Sequence, residues 1–166
     1  MLLSALLQGL QGEGRVHRRG AWWQLPGHAR RDSERDTAVL AAVLPRLEAG
    51  GFDPPWVRTL AADTRTEETV VRAVLRRAAA RGDVHQVVQD LFYAPSAVAK
   101  LARMLAALAA AGDGTVEAAA FRDAIGIGRK RSIQVLEFFD RAGYTRRVGA
   151  GHRPRDGVRW GDASTP

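Results

Sequence analysis

Three consecutive cations, Arg129-Lys130-Arg131, open an amphipathic segment directly after Gly126 and Gly128. Ile133, Val135, Leu136, Phe138 and Phe139 give that segment a packed side, which predicts a helix from Arg129 to Ala142 with Gly143 as its stop. The first turn of a helix is the positive end of its dipole, where backbone N–H groups lack partners. A cation there is unfavourable by roughly 0.3–1 kcal/mol at low salt. A helix chosen for stability alone carries acids in that turn, as the segment beginning Thr66-Glu67-Glu68 does. A phosphate brought to the same end reverses the sign, because N–H groups and cations then converge on one anion. Gly126 and Gly128 leave room for a nucleic-acid backbone to approach. The competing reading of the same residues is a solvated cluster with glycines needed only for turns.

After this helix, Tyr144-Thr-Arg-Arg-Val148 and a strand around Arg153 to Val158 read as a hairpin turning at Gly149-Ala-Gly151. It adds Arg146, Arg147, His152, Arg153 and Arg155 to the cationic set. Alternate residues of a strand face opposite ways, so one partner cannot meet all of them. His152 suits a phosphate or a base, and a solvated loop histidine is the plainer alternative.

Other chemistry is sparse. The chain has no cysteine, which excludes disulfides and thiolate metal sites. His17, His28 and His85 lack metal-ligand spacing. No GxxxxGK[ST] loop and no nucleophile–base pairing occurs, so no catalytic site is expected. Glu67 and Glu68 suit a helix start better than a catalytic pair. Trp22, Trp23, Trp56 and Trp160 suit core or interface positions better than base-stacking platforms.

The formal charge of +7 is uneven. Residues 1–93 carry 13 Arg/Lys against 11 Asp/Glu, residues 94–120 two of each, and residues 121–166 ten against five. A polyanion would therefore be drawn to the C-terminal end. No segment approaches the about 18 apolar residues that a membrane span needs. Leu2, Leu3, Leu6, Leu7 and Leu10 repeat at helical spacing, which favours an amphipathic helix over a signal peptide.

The elements that must position the cations come in a repeating order. Residues 1–28 read as a helix and a hairpin (15–19 and 21–25), the C-terminal remnant of a domain whose beginning is missing. Residues 36–93 read as three helices and a hairpin: one capped by Asp36 or Thr37 and stopped at Gly50-Gly51, one opened by Pro54-Pro55, one from Thr66 to Gly82, then strands around Gln89-Asp90. Residues 95–160 repeat that order with helices from Pro95, from Glu117 to Ile125 and from Arg129. Residues 161–166 read as a frayed tail. The expected fold is mainly α with small β-hairpins: tandem winged-helix (helix-turn-helix) domains.

Phe121 to Arg147, centred on Gly126-Ile-Gly-Arg-Lys130 and Leu136-Glu-Phe-Phe-Asp140, resembles the last winged-helix domain of the bacterial selenocysteine-specific translation elongation factor. Tyr144-Thr-Arg-Arg147 and His152 are similar to that family's wing, and Gly51-Phe-Asp-Pro-Pro55 with Val88-Gln-Asp-Leu-Phe-Tyr93 to its preceding domain. Leu25-Pro-Gly-His28 looks like the end of the one before. The resemblance implies that the last domain binds a hairpin in selenoprotein mRNA beside an in-frame UGA codon, through Arg129, Lys130, Arg131, Arg146, Arg147 and His152. It implies a cytoplasmic monomer that reaches the ribosome through a full-length factor. The family's GTPase and tRNA-binding parts are not in this sequence, so the expected reading is a fragment with no cofactor of its own, GTP belonging to the missing N-terminal part. Pro154, where the wing should be apolar, predicts a short or displaced last strand. Two rivals use the same residues: a dimeric winged-helix DNA-binding transcription regulator, and a protein-docking module with an incidental basic face.

Overall fold

The computed structural model describes residues 10–13, 16–19, 22–24 and 33–161. The chain divides into two compact units, residues 1–38 and 39–166. In the first, β1 (His17–Arg19) and β2 (Trp22–Gln24) pair antiparallel, His17 opposite Gln24 and Arg19 opposite Trp22. The helix expected over Leu2–Leu10 falls almost wholly outside the described residues, as do Leu25-Pro-Gly-His28 and the tail beyond Gly161.

Helix α1 (Glu34–Gly50) begins earlier than its apolar spacing suggested. Its cap is Ser33, whose hydroxyl accepts the Asp36 N–H at 3.1 Å, rather than Asp36 or Thr37. The extra turn is polar and carries no periodic apolar residue to mark it. Helices α2 (Val57–Thr64) and α3 (Glu68–Arg81) follow, then an antiparallel hairpin of β3 (His85–Val88) and β4 (Leu91–Tyr93). Val43, Leu47, Leu60, Val71, Leu75 and Phe92 close this first core.

The second set starts at α4 (Pro95–Ala111), with proline in the first turn where its missing N–H costs nothing. Then come β5 (Val116–Glu117), α5 (Ala118–Ile125), α6 (Arg129–Arg141), β6 (Thr145–Val148) and β7 (Gly151–Pro154). The strands form one antiparallel sheet in the order β5-β7-β6. Three helices and a wing, twice over, make tandem winged-helix domains. Strand β5, at two residues, is too short to show an alternating pattern in the sequence. The last strand starts at Gly151 instead of Arg153, because the turn needs only Gly149 (φ 58°) and Ala150. It ends at Pro154, opposite Thr145, where a residue without an N–H is tolerated.

The two winged helices share packing. Val87, Leu91 and Tyr93 of the first hairpin are buried in the second core, with Leu101, Leu105, Phe121, Leu136 and Phe139. Tyr144 donates its hydroxyl to the Ala102 carbonyl (3.0 Å) and Tyr93 to the Phe52 carbonyl (2.9 Å). Phe139 is fully buried at the centre of the second core. Phe139→Ala is expected to cost about 3–5 kcal/mol, read as a lowered urea midpoint of the whole chain. A loss under 1 kcal/mol would contradict this packing.

Candidate nucleic-acid interface

Arg129 and Lys130 occupy the first turn of α6 and are exposed. The cap residue, Gly128, has no side chain to satisfy the free N–H groups. Its φ of −64° is ordinary for any residue, and a Cβ added there would meet nothing within 4 Å. Nothing among the described residues requires glycine at that position. On the wing, Arg146 and Arg147 are exposed. The buried Thr145 points towards α6, donating to Asp140 Oδ1 at 2.6 Å, so alternation puts Arg147 on the α6 side and Arg146 on the outer side. Among the described residues none of these four cations makes an ion pair or side-chain hydrogen bond.

The other two expected contacts are turned inward. Arg131 reaches back to the preceding winged helix: Nη1 donates to the Pro54 carbonyl at 3.0 Å, and Nη2 lies 3.3 Å from Asp53 Oδ1. The guanidinium also sits 4.8 Å from the centre of the Trp56 ring. With 13% of its side chain exposed, Arg131 is an inter-domain tie, not an open cation. His152 is 3% exposed, its Nδ1 2.8 Å from Asp140 Oδ2, and it anchors the wing to α6. Both departures come from partners distant in sequence, at 53–56 and at 140, which no local spacing reveals.

The same flank of α6 continues the inter-domain contact. Phe138 meets His85 with ring centres 6.0 Å apart, and Arg141 donates to the Val87 carbonyl. Trp160 closes the seam, 5.5 Å from His85 and 5.1 Å from Phe139. Trp160 and Trp56 thus hold interface places. Helix α6 leaves its first turn exposed, while this side is covered.

The equivalent terminus of the first winged helix is self-neutralised. Helix α3 starts at Glu68 behind Glu67, and Arg72 bridges Glu68 and Asp90 at 2.6 Å each. The Arg72 guanidinium holds the Asp90 carboxyl below its ordinary range. Among the described residues no cluster of three or more metal-ligating side chains occurs, and no helix is long and apolar enough to cross a membrane.

Comparison with solved structures decides the family. The mRNA-binding domain of elongation factor SelB from E. coli, solved in complex with SECIS RNA, is 41% identical, with a TM-score of 0.69. The match spans 75% of this chain and 100% of that one. This chain belongs to the SelB winged-helix family. Residues 33–93 match the model for the selenocysteine-specific elongation factor winged helix domain, and residues 108–153 that for the elongation factor SelB winged helix. The selenocysteine-specific elongation factors of Escherichia coli (strain K12) and Haemophilus influenzae are 38% and 28% identical over 95% and 93% of the chain. The chain spans about a quarter of the length of these SelB relatives (25% of each). A crystal structure of bacterial elongation factor EF-Sec shares the fold at 18% identity, TM-score 0.56, over 90% of this chain and 23% of its own.

Burial lowers the pKa of His85 from its ordinary 6.5. The unfolded chain therefore takes up the proton first as pH falls. The contribution of neutral His85 is whole above pH 6.5 and is lost as pH drops through the lower folded value. His85→Phe is expected to flatten the denaturant midpoint against pH just below 6.5, and an unchanged slope would place the acid sensitivity elsewhere.

Proposed function

We propose that this chain is the mRNA-hairpin-binding part of a selenocysteine-specific elongation factor. It tethers the factor to selenoprotein mRNA for selenocysteine insertion at a UGA codon. One observation carries the reading: α6 opens with two unneutralised cations over free N–H groups, beside a cap glycine that the fold does not need. Arg129 and Lys130 grip a phosphate there, and Arg146 and Arg147 supply the wing contact. Arg131 and His152 set where these groups stand without touching RNA. The SelB relative solved with SECIS RNA supports this reading.

The groove geometry agrees. An A-form major groove is too deep and narrow for a helix to enter, so recognition works through phosphates and unpaired bases. A first turn and a wing are enough for that. A DNA regulator would lay its recognition helix along a major groove, yet one flank of α6 is occupied by Asp53, Trp56, His85 and Val87. The reading makes the protein a cytoplasmic monomer that meets the ribosome through the factor it belongs to. It assigns these residues no catalytic step and no cofactor, with GTP handled in the part of the factor this chain does not span.

Charge reversal of Arg129 and Lys130 is expected to weaken binding of a selenoprotein mRNA hairpin at least tenfold. It should also lower the salt slope by about one per lost phosphate contact. Fluorescence anisotropy across a salt series reads both, and unchanged values would remove the helix start from the site. A DNA duplex competing as well as the RNA hairpin would favour the regulator reading. Gly128→Ser should act with opposite signs: a better cap raises stability by a few tenths of a kcal/mol (about 0.3), while the added side chain weakens RNA binding.

A further inference from the structure

We propose that Asp140 is a positioning residue for RNA binding: a carboxylate that makes no RNA contact and holds the wing arginines at a fixed distance from the start of α6. The inference rests on the RNA reading above and names what keeps its two halves in register. Asp140 lies in the last turn of α6, where the helix dipole is negative and a carboxylate is unfavourable. Its hydrogen bonds account for it. Oδ1 accepts from the Thr145 hydroxyl on β6 at 2.6 Å, and Oδ2 accepts from His152 Nδ1 on β7 at 2.8 Å. A carboxylate can only accept, so Nδ1 of His152 carries the proton. One side chain of α6 thus takes a bond from each strand of the wing.

The wing needs such a tie. Residues 146–150 are all exposed, and the nearest buried side chains on either strand are Thr145 and His152. Strand β6, which bears Arg146 and Arg147, is an edge of the sheet and pairs with β7 alone. His152 is the register partner of Arg147, so the tie lies directly across from that arginine. At the other end of the same helix stand Arg129 and Lys130, about 16 Å away along the axis. Helix α6 is therefore a rigid bar between two sets of cations, and Asp140 joins the bar to the wing. A loose wing would have to be ordered on binding, whereas a fastened one already stands in place. By charge alone, an acid beside a polyanion site weakens binding. Here it strengthens binding, because the placement it gives Arg147 outweighs its own repulsion of a phosphate.

The test titrates the full chain against a selenoprotein mRNA hairpin across a salt series. Asp140→Ala should weaken binding about fivefold and lower the salt slope by about one, as though a phosphate contact had been lost. Charge alone requires tighter binding instead, and that result, or an unchanged affinity, overturns the proposal. Asp140→Asn keeps an acceptor for Thr145 and an amide for His152, so it should restore binding without the charge. A loss equal to that of Asp140→Ala would rule out the hydrogen bonds as the cause and overturn the proposal too. A double-mutant cycle separates positioning from general damage. Arg147→Ala should cost about fivefold in the unchanged chain and under about twofold beside Asp140→Ala, while Lys130→Ala costs the same in both. An equal cost of Arg147→Ala in both backgrounds again overturns it. Thr145→Val, of nearly the same shape, carries the same comparison should Asp140→Ala fail to fold. If neither Lys130→Ala nor Arg147→Ala weakens binding of the otherwise unchanged chain, the RNA reading itself fails and this inference with it.

Discussion

Placing cations over the free N–H groups of a helix start makes the protein slightly less stable, and the rest of the second winged helix is arranged around that start. The packed side of α6 is driven into the core by Leu136 and Phe139, which leaves Arg129 and Lys130 facing outward. The glycine at the cap gives no side chain of its own to the N–H groups. The electrostatic cost is roughly 0.3–1 kcal/mol per charge, and a phosphate brought to such a terminus would offset it. Hydrophobic burial elsewhere in the domain is large enough to tolerate it.

The first winged helix has the same order of elements and the opposite charge logic. Glu67 and Glu68 stand where α6 has Gly128 and Arg129, and Arg72, one turn further on, is paired to Glu68 and Asp90. One architecture thus yields a terminus that attracts anions and another that repels them. The fold alone does not set the charge of these termini; the residues of one helical turn do.

Much of this is legible in the sequence. Helical spacing marked α1 to α6, and the stops at Gly82, Gly126 and Gly143 fell where glycines adopt positive φ. The exposed cations at 129, 130, 146 and 147 were also legible, because an exposed charge needs no partner to be predicted. The inward turn of Arg131 and His152 was not legible for the converse reason: each is held by a residue outside its own element, Asp53 and Asp140. A charge written next to two exposed ones looks like a third until a remote acid, Asp53, claims it. Strand β5 was missed because two residues carry no period.

The junction between the winged helices has a mechanical consequence. Strand β4 ends at Tyr93 and α4 begins at Pro95, with only the buried Ala94 between them. The hairpin that ends the first domain also lies within the second core. No slack chain is left there to absorb a pull. A tension applied to α6 passes into β3 and β4 as strain in packed side chains, so the pair carries load as a stiff coupling and yields only when a core gives way.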